Sequence, residues 1–416
     1  MRMLWAAALL IPAALGILAQ NEPGAVLKYP LPDALVSSDG KPVRDAQTWR
    51  KNRRPEIMRL FADQVFGETP SARPEVHFRV TSTDDHALNG LAVRKQITVY
   101  FSQQETGPRM RLLLYSPAKS RGRAPVFIGL NFFGNETVNA DPEIDLPEVW
   151  IKGQKAPAQE SARGGNAQQW QVEKVLSRGF ALATAYCGDI EPDFAGGMEF
   201  GVRQLFLRPG RSKPADSAWG TLGAWAWGLS RAVDYLQTDP DVDAKKIALI
   251  GHSRLGKAAL WSAAQDTRFS VVISNESGVG GASLYRAAAA ETIEHLNTAF
   301  PHWFCVNFHQ YTGHPDRVPV DGNLLLSLIA PRPLYVASAE LDHSSGPPAE
   351  FLSAVEASKV YELLGKRGLG TDKQPPLNQP ILTGTVAYHV RDGKHDVTAF
   401  DWDQYLAFAE LQFGRQ

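Results

Sequence analysis

The sequence predicts an α/β fold in which a mostly parallel central sheet is flanked by helices. From about residue 110, short β-branched and aromatic runs alternate with helical patterns, a rhythm typical of strand-helix-strand units around a buried parallel sheet. Before that point, apolar residues alternate over 77–81 and 91–101, which predicts antiparallel strands. The runs that predict strands of the main sheet are 111–115, 126–130, 181–186, 247–250, 271–274 and 334–337.

Residues 20–416 are expected to form one catalytic domain, with 20–110 as an N-terminal extension packed on it. Within the extension, 50–66 has the pattern of an amphipathic helix. Two stretches, 138–169 and 189–217, contain many Gly, Pro and charged residues and little periodicity. Loops of this length in a compact domain are usually functional insertions or disordered segments, and these two fall where strands would deliver their carboxyl ends.

The first 19 residues have the order of an export signal. Arg2 precedes an apolar run over 4–19 that ends in small residues. A membrane anchor is the alternative, but the run is short for a spanning helix, contains Pro12 and has no basic residue directly after it. We therefore expect a signal peptide at 1–19, a secreted or periplasmic protein and no stable membrane partner.

Composition excludes some classes of protein. The formal net charge is −1, and no segment is strongly basic, so a nucleic-acid partner is not expected. Cys187 and Cys305 are the two cysteines, too few for a disulfide scaffold and without the paired spacing of a zinc site. They form either one disulfide or two buried free thiols.

The most informative motif is Gly251-His252-Ser253-Arg254-Leu255-Gly256. An apolar run leads into it and an Ala-rich helical pattern follows, so the Gly-x-Ser-x-Gly spacing has the strand-turn-helix setting of a nucleophile elbow. The glycines let the backbone bend sharply and let the helix pack against the strand. The sequence therefore predicts an α/β-hydrolase fold with Ser253 as the nucleophile.

A serine hydroxyl needs a base, and hydrolases of this fold carry a histidine after the last strand. His395 follows a predicted strand and precedes the C-terminal helical pattern, so it is the candidate base. His389 lies within that strand and is expected to be structural. The other histidines considered precede the final strand, and chain order disfavours them: His302, His309, His314 and His343.

Two carboxylates are candidates to orient His395. Asp342 follows the strand predicted at 334–337, where this fold usually places its acid, and Glu276 follows the strand predicted at 271–274. Either could instead be a solvated loop acid. We rank Glu276 first only on the resemblance described next.

These segments resemble the glucuronoyl esterases, carbohydrate esterase family 15. Residues 251–257 match the family's nucleophile motif, with His252 where a cysteine often stands, and 276–281 match its Glu-Ser-Gly-x-Gly-Gly segment, where the family commonly carries its acid. The resemblance covers most of the chain from about residue 110 onward. Further similar segments are 129–135, 225–231, 301–304, 330–333 and 393–398.

The resemblance implies hydrolysis of the ester between 4-O-methyl-glucuronic acid on xylan and lignin alcohols, so the expected partner is a uronic-acid ester of plant cell-wall polysaccharide. It implies that the Arg254 guanidinium stabilises the oxyanion, although an ion pair at the surface is the alternative. It also implies that Glu291 accepts from a sugar hydroxyl and that Trp303 contributes to the sugar site; Glu291 could instead be an exposed helix acid, and Trp303 a core residue. Lys257 lies one helical turn past Ser253, where it can donate to the sugar; the alternative is that it only balances charge at the surface.

One position departs from the family. A tryptophan that lines the sugar pocket is expected near Asp342, but the chain reads Asp342-His343-Ser344-Ser345. A secreted esterase for another ester, such as acetyl groups on xylan, is therefore the alternative function, and an inactive polysaccharide-binding fold is the second. Acyl transfer by serine needs no metal or organic cofactor, and none is predicted.

Overall fold

A nine-stranded sheet runs through the part of the chain that the computed structural model describes, which comprises residues 27–71, 74–120, 122–207, 215, 217–287 and 291–414. The export signal predicted at 1–19 lies outside the described residues. A separate hairpin, β5–β6, accompanies the sheet. The strands are β1 His77–His86, β2 Ala92–Tyr100, β3 Arg109–Pro117, β4 Ala124–Asn131, β5 Glu148–Ile151, β6 Gln154–Pro157, β7 Ala181–Tyr186, β8 Val242–His252, β9 Val271–Asn275, β10 Leu334–Ala339 and β11 Val386–Arg391.

The strand order is β1-β2-β3-β7-β4-β8-β9-β10-β11. Neighbours from β7 to β11 pair in parallel, whereas β1, β2 and β3 pair antiparallel with one another and β3 pairs antiparallel with β7. This confirms the predicted fold class. Grouping β3 with the parallel strands was wrong, because only a short loop joins β2 to β3 and such a loop can close only an antiparallel pair.

Helices cover the sheet. Every residue of β4, β7, β9, β10 and β11 is buried, as expected for strands with both faces covered. None of the helices in the described ranges is long and apolar enough to cross a membrane. The α-helices are Ala46–Thr48, Arg54–Phe61, Ala87–Gly90, Ala167–Trp170, Val172–Ser177, Cys187–Ile190, Thr221–Leu236, Arg254–Gln265, Ile293–Ala299, Gly322–Ser327, Pro347–Leu363 and Ala399–Phe413.

The predicted helix at 50–66 is present, with an unusual winding. Its buried residues recur every fourth position, at Trp49, Arg53, Ile57, Phe61 and Val65. An α-helix has 3.6 residues per turn, so a strict four-residue stripe would drift around it. Wider π turns at 49–53 and 62–66 flank the α-helical part and keep the stripe on the core.

The two long insertions follow β4 and β7, at the carboxyl edge of the sheet. The first was predicted as irregular but contains the β5–β6 hairpin, and the second contains 3₁₀ turns at Gly197–Phe200 and Val202–Phe206. A buried ion pair between Glu191 and Arg203 fixes the second insertion, since Glu191 also accepts from Thr221 at 2.7 Å. The described part of the second insertion is thus tied to helix Thr221–Leu236.

Both cysteines are buried free thiols, Cys187 after β7 and Cys305 in a loop. This decides between the two alternatives left by the sequence.

Candidate active site

Four adjacent strands deliver four predicted site residues to one edge of the sheet. Ser253 follows β8, Glu276 follows β9, Asp342 lies just after β10, and His395 lies in the loop after β11. Because these strands are parallel neighbours, their carboxyl ends meet at the same edge. Residues spread over more than 140 positions are thereby gathered in one cluster.

The turn at Ser253 is sharp and strained. Its backbone has φ 56° and ψ −133°, in a region that residues with a side chain rarely adopt. A Cβ at Gly251 would lie 2.3 Å from the Leu255 carbonyl oxygen, and one at Gly256 would lie 2.8 Å from the Ser277 Cβ. Both motif glycines are therefore required by close approach, and the serine is presented at the N-terminus of helix Arg254–Gln265, where backbone amides are free to bind a negative oxygen.

Both candidate carboxylates contact the same nitrogen of His395. The Nδ1 atom lies 2.6 Å from Asp342 Oδ2 and 3.1 Å from Glu276 Oε2. With Nδ1 held in this way, Nε2 is the nitrogen available to serve Ser253. The imidazole is 39% exposed, so substrate can reach it, and its ring lies 4.5 Å from the ring of His252.

His252 is partly buried and packs against His395. Its Nδ1 lies 2.5 Å from Asn275 Oδ1, and Asn275 in turn donates to the Tyr405 hydroxyl at 2.8 Å. Burial and the neighbouring His395 lower the pKa of His252 to about 4. At neutral pH His252 is therefore an uncharged ring that packs on the base.

The two carboxyls sit in different environments. Burial raises the pKa of Glu276 to about 7, although the hydrogen bond to His395 and the charge of Arg391 oppose the rise. Burial acts in the same direction on Asp342, but hydrogen bonds with His395 and Ser345 outweigh it and lower the pKa of Asp342 to about 2. Asp342 is thus ionised at neutral pH, whereas the ionisation of Glu276 depends on nearby cations.

The cluster of Glu276, Asp342 and His395 offers three ligand atoms within 4.8 Å of one another. Such a group could meet a cation, but each atom already has a protein partner. The imidazole binds both carboxylates, and Arg391 donates to Glu276 at 2.6 Å. A guanidinium beside the carboxylate would repel a metal ion, so these residues do not fit a cation site.

Arg254 directly follows the serine and begins helix Arg254–Gln265. Its Nη1 donates to Asp193 Oδ2 at 2.6 Å, and its side chain remains 33% exposed. The guanidinium carbon lies 5.0 Å from the Trp303 ring centroid and 5.6 Å from that of Phe300. The alternative ion pair does form, and the two aromatic rings also contact the guanidinium.

Trp303 is 2% exposed and stacks on Phe300 with centroids 3.8 Å apart. Its Nε1 donates to Asp193 at 2.7 Å, and the His302 Nε2 atom lies 2.9 Å from the same carboxylate oxygen. Asp193 therefore ties Trp303 and Arg254 together. In this arrangement the Trp303 ring packs against the Arg254 guanidinium, and little of the ring is accessible to a substrate.

Lys257 is buried and has three acceptors. Its Nζ donates to the carbonyls of Ser277 at 2.8 Å and Val279 at 2.7 Å, and to Glu291 Oε2 at 2.8 Å. An ammonium has three donors, so all are engaged within the protein. Lys257 thus fixes the loop after Glu276 and orients Glu291, whose carboxylate is partly exposed.

Sequence reasoning missed the residues that hold these groups, chiefly Asp193 and Arg391. Asp193 lies in an aperiodic insertion, where no pattern distinguishes one acid from another. Arg391 ends β11, and a charged residue at a strand end is ordinarily read as solvent-exposed. His389, predicted to be structural, is fully buried in β11.

The fold and this cluster define a serine hydrolase of α/β-hydrolase architecture. Residues 214–365 match the family model described as glucuronyl esterase, fungi. The chain is 46% identical over 391 residues to a carbohydrate esterase of an unknown prokaryotic organism, covering 92% of this chain and 90% of that protein.

The solved glucuronoyl esterase from Solibacter usitatus superposes with a TM-score of 0.91 at 50% identity, covering 94% of this chain and all of that one. A 4-O-methyl-glucuronoyl methylesterase from Phanerochaete chrysosporium is 35% identical over 152 residues, 34% of this chain and 32% of its own. The chain belongs to the glucuronoyl esterase family, and it is a carboxylic ester hydrolase.

Proposed function

We propose that this protein hydrolyses esters of glucuronic acid, including the 4-O-methyl form, in linkages between xylan and lignin, with Ser253 as the nucleophile. The observation that carries the proposal is the strained turn at Ser253, where the ring of the preceding residue, His252, lies 4.5 Å from an imidazole held by two carboxylates. Membership of the glucuronoyl esterase family supports the uronate as the acyl group. The apolar sequence of residues 1–19 supports export of the enzyme to where this substrate occurs.

The reaction proceeds by two acyl transfers. His395 takes the proton of Ser253 as the oxygen attacks the uronate carbonyl, and the imidazolium then protonates the departing alcohol. The Arg254 amide and guanidinium stabilise the negative oxygen, where one donor typically contributes about 3 kcal/mol. Water activated by His395 attacks the ester of Ser253 and releases the free uronic acid.

A second candidate function is esterase activity on another carbohydrate ester, such as acetylated xylan. It is favoured by the position after Asp342, where His343 stands and no tryptophan offers a flat wall for the sugar. The catalytic residues would be the same, because only the pocket distinguishes the two substrates.

Side-by-side kinetics separate the two candidates. We expect a kcat/KM for methyl 4-O-methyl-glucuronate that exceeds the one for acetylated xylan by about a hundredfold, since a site that hydrogen-bonds a substrate strongly rejects one that lacks the partner groups. A preference for acetylated xylan would instead support the second candidate.

The pH dependence follows from the two carboxylates. Burial disfavours the imidazolium, but the hydrogen bonds and charges of Asp342 and Glu276 outweigh it and raise the pKa of His395 well above its ordinary value. Because the base must be neutral, kcat/KM should rise from neutral into alkaline pH. Asp342→Asn removes an anion and lowers the pKa of His395, so the midpoint should move to lower pH, whereas an unchanged or higher midpoint would contradict the assignment of base and acid.

Glu291 provides a test of sugar recognition. Glu291→Gln should raise KM for the methyl uronate about tenfold and change KM for a simple acetyl ester much less, because a hydrogen bond to a charged group contributes ~1.5 kcal/mol or more. Glu294→Gln, on an exposed position of helix Ile293–Ala299, is the matched control. Equal effects on both esters would remove Glu291 from the sugar site.

A further inference from the structure

Arg391 lies behind the cluster and is almost completely buried. Its Nη2 donates to Glu276 Oε1 at 2.6 Å, and its Nε donates to Asp401 Oδ2 at 2.9 Å. The same Nη2 also donates to the carbonyls of Lys394 at 2.9 Å and Asp396 at 2.7 Å, on either side of His395. One guanidinium thus joins the enclosed acid to the loop that carries the base.

Asp401 fixes this guanidinium from the other side. It belongs to the capping box of helix Ala399–Phe413, accepting from the Thr398 amide at 2.7 Å. Its Oδ1 lies 2.8 Å from His389 Nε2, and the His389 Nδ1 atom lies 2.8 Å from the Tyr335 hydroxyl. Arg391 is therefore anchored to the C-terminal helix and to β10 and β11.

We infer that Arg391 is a positioning residue for the esterase reaction: it holds the Glu276 carboxylate against Nδ1 of His395, and Asp401 holds Arg391 in place. This inference rests on the proposed function, because it concerns the same base. The hydrogen bonds of Arg391 within the described residues reach Glu276, Asp401 and the loop around His395, and not Ser253, so its effect on the charge of the base passes through Glu276. Asp342, which has no contact with this guanidinium among the hydrogen bonds of the described residues, orients the imidazole separately.

Charge explains why Glu276 needs this partner. The carboxylate has no exposed surface, and a buried anion is costly unless a cation is paired with it. His395 supplies a positive charge only while it is protonated, so Arg391 is the permanent cation on this acid. The other titratable groups that face Glu276 are anionic or neutral, namely Asp342, Glu350 and Tyr405.

The experiment uses Arg391→Met and Arg391→Lys, each alone and combined with Glu276→Gln, in the full chain. The readout is the rate at which a fluorophosphonate labels Ser253 as a function of pH, since this rate reports activation of the serine without a sugar substrate. Turnover of methyl 4-O-methyl-glucuronate by the unmodified protein is measured separately. Its absence, with labelling intact, would defeat the proposed substrate and leave this test valid.

We expect Arg391→Met to slow labelling about tenfold and to move its midpoint up by about one pH unit. The serine is activated only when Glu276 is ionised and His395 is neutral, and removing the cation raises the pH at which this coupled pair reaches that state. Arg391→Lys should restore the midpoint. With Glu276→Gln present, neither substitution should move it further. The inference would be overturned if Arg391→Met left the labelling midpoint unchanged, or moved it equally with and without Glu276→Gln.

Arg286→Lys is the matched control, because Arg286 also combines a buried ion pair, with Asp321 at 3.0 Å, and hydrogen bonds to backbone carbonyls. It should lower stability without changing the labelling midpoint. If Arg391→Met does not fold, Arg391→Lys still decides. Lysine lacks the planar donor fork of arginine, so Arg391→Lys should slow labelling in the protein that has Glu276 and not in the Glu276→Gln variant. Equal slowing in both proteins would mean that Arg391 has only a structural role.

Discussion

The Ser253→Ala variant should turn over methyl 4-O-methyl-glucuronate at least about a thousandfold more slowly than the unmodified enzyme while remaining folded. Loss of one member of a catalytic unit removes nearly all of its rate advantage, so His395→Ala should cause a loss of similar size. Initial rates at saturating substrate check this expectation. Retention of more than about a tenth of kcat would refute the assignment of Ser253.

Two further variants make this test specific. Ser262 lies in helix Arg254–Gln265, which follows Ser253, and donates to the Ala226 carbonyl at 2.8 Å. Ser262→Ala should therefore lower stability slightly and leave activity unchanged. Ser253→Gly should be as inactive as Ser253→Ala but more stable by about 1 kcal/mol, because glycine tolerates the positive φ of this turn. Equal unfolding midpoints in urea for Ser253→Gly and Ser253→Ala would show that the backbone at this turn is not strained.

The second large effect concerns the carboxylates. Glu276→Gln and Asp342→Asn should each leave partial activity, with losses on the order of tenfold to a hundredfold, because the other acid still contacts Nδ1 of His395. The double variant should lose on the order of ten thousandfold, as expected for an imidazole without its orienting acid. We rank the loss in Glu276→Gln as the larger, since a neutral amide also removes the counterion of Arg391.

The outcomes distinguish the two acids clearly. If Asp342→Asn abolished kcat and Glu276→Gln left it intact, the acid position usual for this fold would be the functional one and the ranking would be wrong. Circular dichroism and the rate of fluorophosphonate labelling separate loss of catalysis from loss of folding.

Much of the fold follows from local patterns. β7 was predicted over the residues that it occupies, and the motif around Ser253 identified the turn after β8, because a buried parallel strand and an Ala-rich helix have strong local signals. The direction of β3 and the β5–β6 hairpin were missed. Strand direction depends on the partner that a segment meets, and a hairpin inside a Gly- and Pro-rich insertion has only four residues in each strand.

For the site, chain order and motif spacing identified Ser253, His395 and both carboxylates as residues to bring together. They could not identify the supports. Arg391 acquires its role from three separate segments that meet only in the folded chain, and Asp193 gains its importance from Arg254, 61 positions away. Likewise, Lys257 uses all three of its donors within the protein because of the path of the loop after Glu276. The position of Lys257 in its helix could not predict that path.

The measurement that tests the central claim most directly is the detection of the acyl-enzyme. The protein is mixed with methyl 4-O-methyl-glucuronate, quenched with acid during turnover, digested, and analysed by mass spectrometry. We predict a peptide containing Ser253 that carries the mass of the uronoyl group, and no such peptide from Ser253→Ala. Steady turnover with the adduct on another residue, or with the Ser253 peptide unmodified at every quench time, would contradict the account.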